Sequence, residues 1–124
     1  MGRGSSLSNA ALVIVDLLND FFERSSVLGA KRQSLARATN ELVRGFRHSR
    51  FPIFWVRQEF APDLHDASLE VRRHEIKVTI SGTPGCQLFA ELDRSEDDTE
   101  IIKKRYSAFF GTDLQDRLGN STAT

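Results

Sequence analysis

Apolar positions change their spacing several times along the chain, and each change marks an element. Ala10 to Val15 (AALVIV) is a continuous apolar run rich in β-branched residues that ends at Asp16. Continuous rather than alternating apolarity predicts a strand buried on both faces, the pattern of a central parallel strand. Leu35, Leu42, Val43 and Phe46 then fall on one side of a 3.6-residue repeat, with Arg37, Asn40, Glu41 and Arg44 opposite. That spacing predicts an amphipathic helix over about Lys31 to His48. Pro52 resets the chain, and Ile53 to Val56 (IFWV) predicts a second buried strand. Strand, helix, strand is a crossover unit, nearly always right-handed, with its helix covering one face of the sheet.

Gln58 to Gly82 has no sustained period and reads as a lid or substrate loop. Thr83 and Pro84 suit the N-cap and first residue of a short helix, PGCQLFAEL, ending near Leu92. Asp93 to Asp98 is the turn after it. Glu100 to Lys103 (EIIK) predicts a third strand with a lysine at its end. Thr112 with Gln115 resembles a capping box opening a helix over Asp113 to Leu118, and Gly119 suits its C′ position. The order β, α, β, loop, α, β, α predicts an α/β fold of three layers, a parallel sheet with helices on both faces. At 124 residues the chain holds one core. It is divided as a polar segment 1–9, a domain 10–119 and a polar tail 120–124.

Composition narrows the partners. Hydrophobic residues are 40%, charged residues 27%, and 17 basic side chains balance 17 acidic ones. This is globular composition without the positive field that phosphate-backbone binding relies on, so nucleic acid is excluded as the expected partner. The basic stretch Arg44 to Arg50 reads as a solvated helix face. No run approaches the roughly 20 apolar residues of a membrane span. Met1 to Asn9 lacks a signal-peptide pattern. The lone Cys86 forms no internal disulfide, and a cytoplasmic setting is expected.

Ligands of open parallel sheets bind at the carboxyl ends of strands, which directs attention to Asp16 after the first strand and Lys103 at the end of the third. On position alone, Asp16 also suits a helix-capping or loop-anchoring aspartate, and Lys103 a surface lysine. Cys86 in TPGC sits in a predicted first helical turn, where a thiol pKa can be depressed; as a free cysteine it equally suits a small buried hydrophobe. Asp63, His65, Asp66 and His74 are potential metal ligands without a metal-site spacing, and are expected to be solvated loop residues; no metal or other cofactor is expected. Phe22, Phe54, Trp55 and Phe110 are expected in the core. Phe21 and Phe109 flank the candidate residues as pocket walls, and Gln58, which ends the second strand, is a candidate substrate contact.

ALVIVDLLNDFF, with Asp16, Asn19, Asp20 and Phe21, resembles the opening motif of the isochorismatase-like cysteine hydrolases. IFWVRQEFAPD, SGTPGCQLFAEL and IIKKRYSAFFGTDL resemble the next three blocks of that family in the same order. The block Tyr106 to Leu114 is the most specific. The resemblance implies catalytic roles for Asp16 and Lys103, with Lys104 the alternative if the register slips by one, and adds Tyr106 to the candidate substrate contacts. It implies hydrolysis of a small-molecule substrate, a C–N bond in a small amide or related compound, through a thiolate that Asp16 generates as base and Lys103 favours by its charge. The family's nucleophilic cysteine opens a helix after a later strand, in a Gly-Val-x-Thr-x-x-Cys-like stretch that this sequence does not contain. Cys86 lies before the lysine strand, out of that order. The chain is therefore expected to stop short of the nucleophile, and the rival reading is a non-catalytic fragment or binding module of the same fold. Family members often associate, which leaves a homo-oligomer open.

Overall fold

The computed structural model describes residues 10–122, so the polar segment 1–9 and the last two residues of the tail lie outside the described residues. Strands β1 (Leu12–Val15), β2 (Ile53–Gln58) and β3 (Thr99–Lys103) form a parallel sheet in the order β1-β2-β3. Ile14 pairs with Trp55, Val56 with Ile101, and Gln58 with Lys103. The first four residues of β2 are all buried, because a central strand is covered on both faces. The apolar run of β1 predicts the same, yet among the described residues β1 pairs with β2 alone and Val15 is 43% exposed.

Helices cover both faces. Helix α3 (Arg32–His48), preceded by the short helices α1 (Asn19–Arg24) and α2 (Ser26–Ala30), buries Ala36 and Val43 against Ile14, Ile53 and Trp55. On the other face α5 (Leu114–Thr122) buries Leu114 against Phe54, Val56 and Ile101. Full burial of a side chain such as Leu114 contributes about 1.5–3 kcal/mol. The three-layer arrangement matches the one the element order predicts.

The register of α3 differs from expectation. Leu42 turns outward, and the buried stripe runs through Ala36 and Val43. Asn40, expected on the solvent face, donates to Glu91 O (2.9 Å) and accepts from Asp93 N–H (2.8 Å). Arg47, expected to be solvated, is half-buried and pairs with Asp98 at 2.6 Å, the carboxylate that also accepts from Trp55 Nε1. These contacts clamp the 91–98 turn to the helix.

The predicted helix PGCQLFAEL is a single 3₁₀ turn, Pro84–Cys86. Gln87 leaves helical geometry (φ −89°, ψ 150°), Leu88 makes an antiparallel bridge with Leu18, and Phe89 N–H donates to Leu17 O at 3.0 Å. Tertiary pairing after β1 thus overrides a weak local preference. Within the predicted loop, Phe60, Leu64 and Ala67 form their own small core, capped by helix α4 (Leu69–Arg73) and a bridge from Phe60 to Ile80. At the end of the described residues, Thr112 Oγ1 accepts from Leu114 N–H as a cap would, but α5 runs through Gly119 to Thr122 rather than stopping there.

Candidate active site

Asp16 is the first residue beyond β1. Its N–H continues the sheet by donating to Val56 O (2.9 Å), and its φ of 65° then turns the chain out of the strand direction. Lys103 ends β3, and its side chain is 3% exposed. It spans the width of β2 to place Nζ 2.8 Å from Asp16 Oδ2, and donates also to Tyr106 O at 3.0 Å. The other carboxylate oxygen, Asp16 Oδ1, is buried and has no hydrogen-bond partner among the described residues. A buried acceptor left unsatisfied costs about 1–3 kcal/mol. The site therefore combines a carboxylate paired with a buried ammonium and one carboxylate oxygen without a donor among the described residues.

Lys104, the alternative by register, goes elsewhere: its ammonium pairs with Asp66 Oδ2 at 2.9 Å and donates to Glu59 O. Of the candidate contacts, Gln58 is the register partner of Lys103. Phe21 is half-buried against the core beneath α3. Phe109 is exposed, and the Tyr106 side chain is 100% exposed, touching Lys103 through its carbonyl alone. The structure thus brings together Asp16, Lys103, the Tyr106 backbone and Gln58.

Cys86 is fully buried, and among the described residues its thiol bonds neither Asp16 nor Lys103. Its Sγ lies 3.6 Å from Glu59 Oε1 and 3.3 Å from Thr83 O. Burial, and then the Glu59 carboxylate, push its thiol pKa up, opposite to the depression that a first helical turn would give. Glu59 belongs to an ion-pair group that sequence patterning misses: Arg57 bonds both Glu59 (2.6 Å) and Glu100. The potential metal ligands do not converge. Asp63 and His65 form a solvent-exposed pair at 2.6 Å, His74 pairs with Glu70, and Asp66 is held by Lys104. Among the described residues no three such side chains form a cluster.

The motif residues Asn19 and Asp20 have structural partners that sequence alone does not disclose. Asn19 donates to Pro84 O (2.8 Å), and Asp20 Oδ2 accepts from Thr79 N–H (2.7 Å). A Cβ at Gly85 would overlap both Asp20 carboxylate oxygens, so this glycine is what lets the TPGC turn close on α1. A surface depression of about 520 Å³, lined by Arg47, Arg50, Phe51, Ser95 and Asp98, lies at the start of β2. That is the opposite end of the strand from Gln58, roughly 16 Å away at about 3.3 Å per residue. It is open and lacks a convergent acid–base set, so the chemistry points to the carboxyl edge.

A parallel sheet between two helical layers, with a carboxylate and a buried ammonium joined at its carboxyl edge, defines the chain as a three-layer α/β domain. The isochorismatase domain pattern matches residues 10–124, and the chain belongs to that family. It is 34% identical over 123 residues to a probable inactive nicotinamidase of Arabidopsis thaliana, covering 94% of this chain and 62% of the relative. Among solved structures it is similar to N-carbamoylsarcosine amidase from Thermoplasma acidophilum (27% identity, TM-score 0.73, 89% of this chain and 60% of that one). It is likewise similar to a pyrazinamidase of Pyrococcus horikoshii in complex with zinc (27% identity, TM-score 0.71, 89% and 63%). The chain spans about 60% of the length of these proteins.

Proposed function

We propose that Asp16 and Lys103 are the proton-accepting and cationic members of a cysteine-hydrolase site for small amides, and that the nucleophilic thiol of that site is not Cys86. The observation that carries this reading is the 2.8 Å contact between a buried lysine and Asp16, whose second oxygen is buried and undonated. A thiol of ordinary pKa, about 8.5, is mostly protonated at neutral pH and needs such a base and such a charge. In the proposed step Asp16 takes the S–H proton, the thiolate adds to the amide carbon, and a C–S bond forms. Collapse breaks the C–N bond, with the proton passing from Asp16 to the leaving nitrogen. Water then hydrolyses the thioester and releases the acid.

The amide class is supported by the neighbours, whose names describe amidases of N-carbamoylsarcosine and pyrazinamide. The order of sequence blocks supports a thiol lying beyond α5 in the whole protein. For the 124 residues alone, ligand binding without turnover is the second reading, favoured by the burial of its single cysteine beside a carboxylate. No described helix is long and apolar enough to cross a membrane.

Ammonia release from nicotinamide and pyrazinamide tests both readings. The 124-residue chain is expected to bind without releasing ammonia. A polypeptide that continues past α5 into a strand and a cysteine-led helix is expected to release it, to keep that activity in Cys86→Ser, and to lose it in Asp16→Asn or Lys103→Met. Turnover by the 124-residue chain that Cys86→Ser abolishes overturns the assignment.

A further inference from the structure

Thr79 is a fully buried, β-branched residue at φ 53° in the left-handed region, where such side chains are genuine outliers. Backbone outliers of this kind persist only where surrounding contacts over-determine them, and they gather at functional sites. Three contacts hold Thr79. Its N–H donates to Asp20 Oδ2 (2.7 Å), its carbonyl accepts from Phe60 N–H (3.0 Å), and its hydroxyl donates to Val78 O (2.7 Å). A hydroxyl has one proton, so towards a fourth group Oγ1 can only accept. That fourth group is Gln58, whose Nε2 lies 3.1 Å away.

The consequence falls on Gln58. Its amide nitrogen is committed to Thr79, which fixes which way round the carboxamide sits and leaves Oε1 without a donor among the described residues. Gln58 is paired with Lys103 across β2 and β3, and register partners of a parallel sheet share a face, as Val56 and Ile101 do in the core below them. Gln58 therefore stands beside Lys103 on one face, at the sheet edge where Lys103 meets Asp16.

We propose that Thr79 is a positioning residue that sets the polarity of the Gln58 carboxamide, so that the site offers a hydrogen-bond acceptor and selects ligands bringing an N–H donor, a primary carboxamide, over the corresponding carboxylate. This rests on the reading of the site as an amide site. A ligand amide would donate to Gln58 Oε1, whereas a carboxylate would set oxygen against oxygen there, the kind of unpaired contact by which polar sites discriminate.

The experiment has two arms. In the first, the side-chain NH₂ resonance of Gln58 is followed by NMR in the 15N-labelled chain, without ligand. It is expected to be dispersed and slow to exchange with water, and free exchange overturns the proposal whether or not any variant folds. In the second, nicotinamide and nicotinate are titrated into the wild type, Thr79→Val, which keeps the shape and loses the acceptor, and Thr79→Ser, which keeps the acceptor. The nicotinamide-to-nicotinate affinity ratio is expected to fall at least tenfold in Thr79→Val and to return in Thr79→Ser. A folded Thr79→Val whose ratio stays within twofold of the wild type overturns the proposal. A wild type with a protected Gln58 NH₂ that binds neither compound overturns the amide reading of the site and the selectivity with it, while the exchange arm still decides the Thr79–Gln58 contact.

Discussion

Replacing Lys103 by Met keeps most of the side-chain volume and removes the charge that compensates Asp16. Lys103 is 3% exposed and Asp16 27% exposed in their side chains, with 2.8 Å between them. Removing one partner of a buried pair costs about 3–5 kcal/mol, because the other charge stays behind uncompensated. Water reaching the partly exposed Asp16 lowers that figure to about 2–4 kcal/mol. Met leaves little cavity, so no large packing loss is added. At roughly 4 °C per kcal/mol for a domain of this size, the melting temperature should fall by about 8–16 °C. The double variant Asp16→Asn/Lys103→Met buries no charge and should recover part of the loss, with a coupling of about 0.5–3 kcal/mol. Thermal melts and urea titrations followed by circular dichroism measure both quantities. If Lys103→Met lies within 0.5 kcal/mol of the wild type, or the double variant is no more stable than Lys103→Met, the energetic account of the pair is wrong.

Gly85→Ala drives a methyl group into the Asp20 carboxylate and should destabilise the chain by about 2–4 kcal/mol through overpacking and loss of the charged hydrogen bond to Thr79, read from the urea midpoint; a wild-type midpoint would sink the interlock. Cys86 should react with iodoacetamide at pH 8 at least about tenfold more slowly in the native chain than in urea, since burial raises its pKa and hides it; equal rates would show an accessible thiol. Glu59 is held below the usual carboxylate range by the Arg57 hydrogen bond against an opposing effect of burial, and in Asp66 burial pushes upward but Lys104 prevails. Both groups bind protons less readily folded than unfolded, so their stabilisation is present above the ordinary carboxylate pKa, near 4, and is lost as pH falls through the lowered values. The urea midpoint should therefore drop between pH 5 and pH 3, less steeply in Glu59→Gln; parallel slopes for the two proteins would contradict this.

Strong, continuous patterns were legible in the sequence. AALVIV, IFWV and EIIK each became a strand, and the residues ending the first and third meet at one edge, as a parallel sheet requires. What patterning misjudged depends on contacts distant in sequence. PGCQLFAEL has the local marks of a helix, but Leu88 finds a bridge to Leu18 seventy residues earlier, and extended pairing wins. Leu42 fits the apolar stripe of α3 as well as Ala36 does until the tilt of the helix on the sheet is known. Arg47 looks like any surface arginine because Asp98 lies beyond β2 in the sequence. At the site, the meeting of Asp16 with Lys103 could be anticipated from strand ends, whereas the roles of Asp20, Thr79 and Gly85 could not. One hydrogen bond and one close approach between segments about sixty residues apart carry no local signature.

The proposed binding place of a small amide is the carboxyl edge around Asp16 and Lys103, not the depression at the start of β2. Titrating nicotinamide into the 15N-labelled chain and mapping the amide shift changes tests it most directly. Changes are expected at Asp16, Gln58 and Lys103, absent in Lys103→Met, with none at Arg50, Phe51 or Ser95. Changes confined to Arg50, Phe51 and Ser95, or no saturable change anywhere, would contradict it.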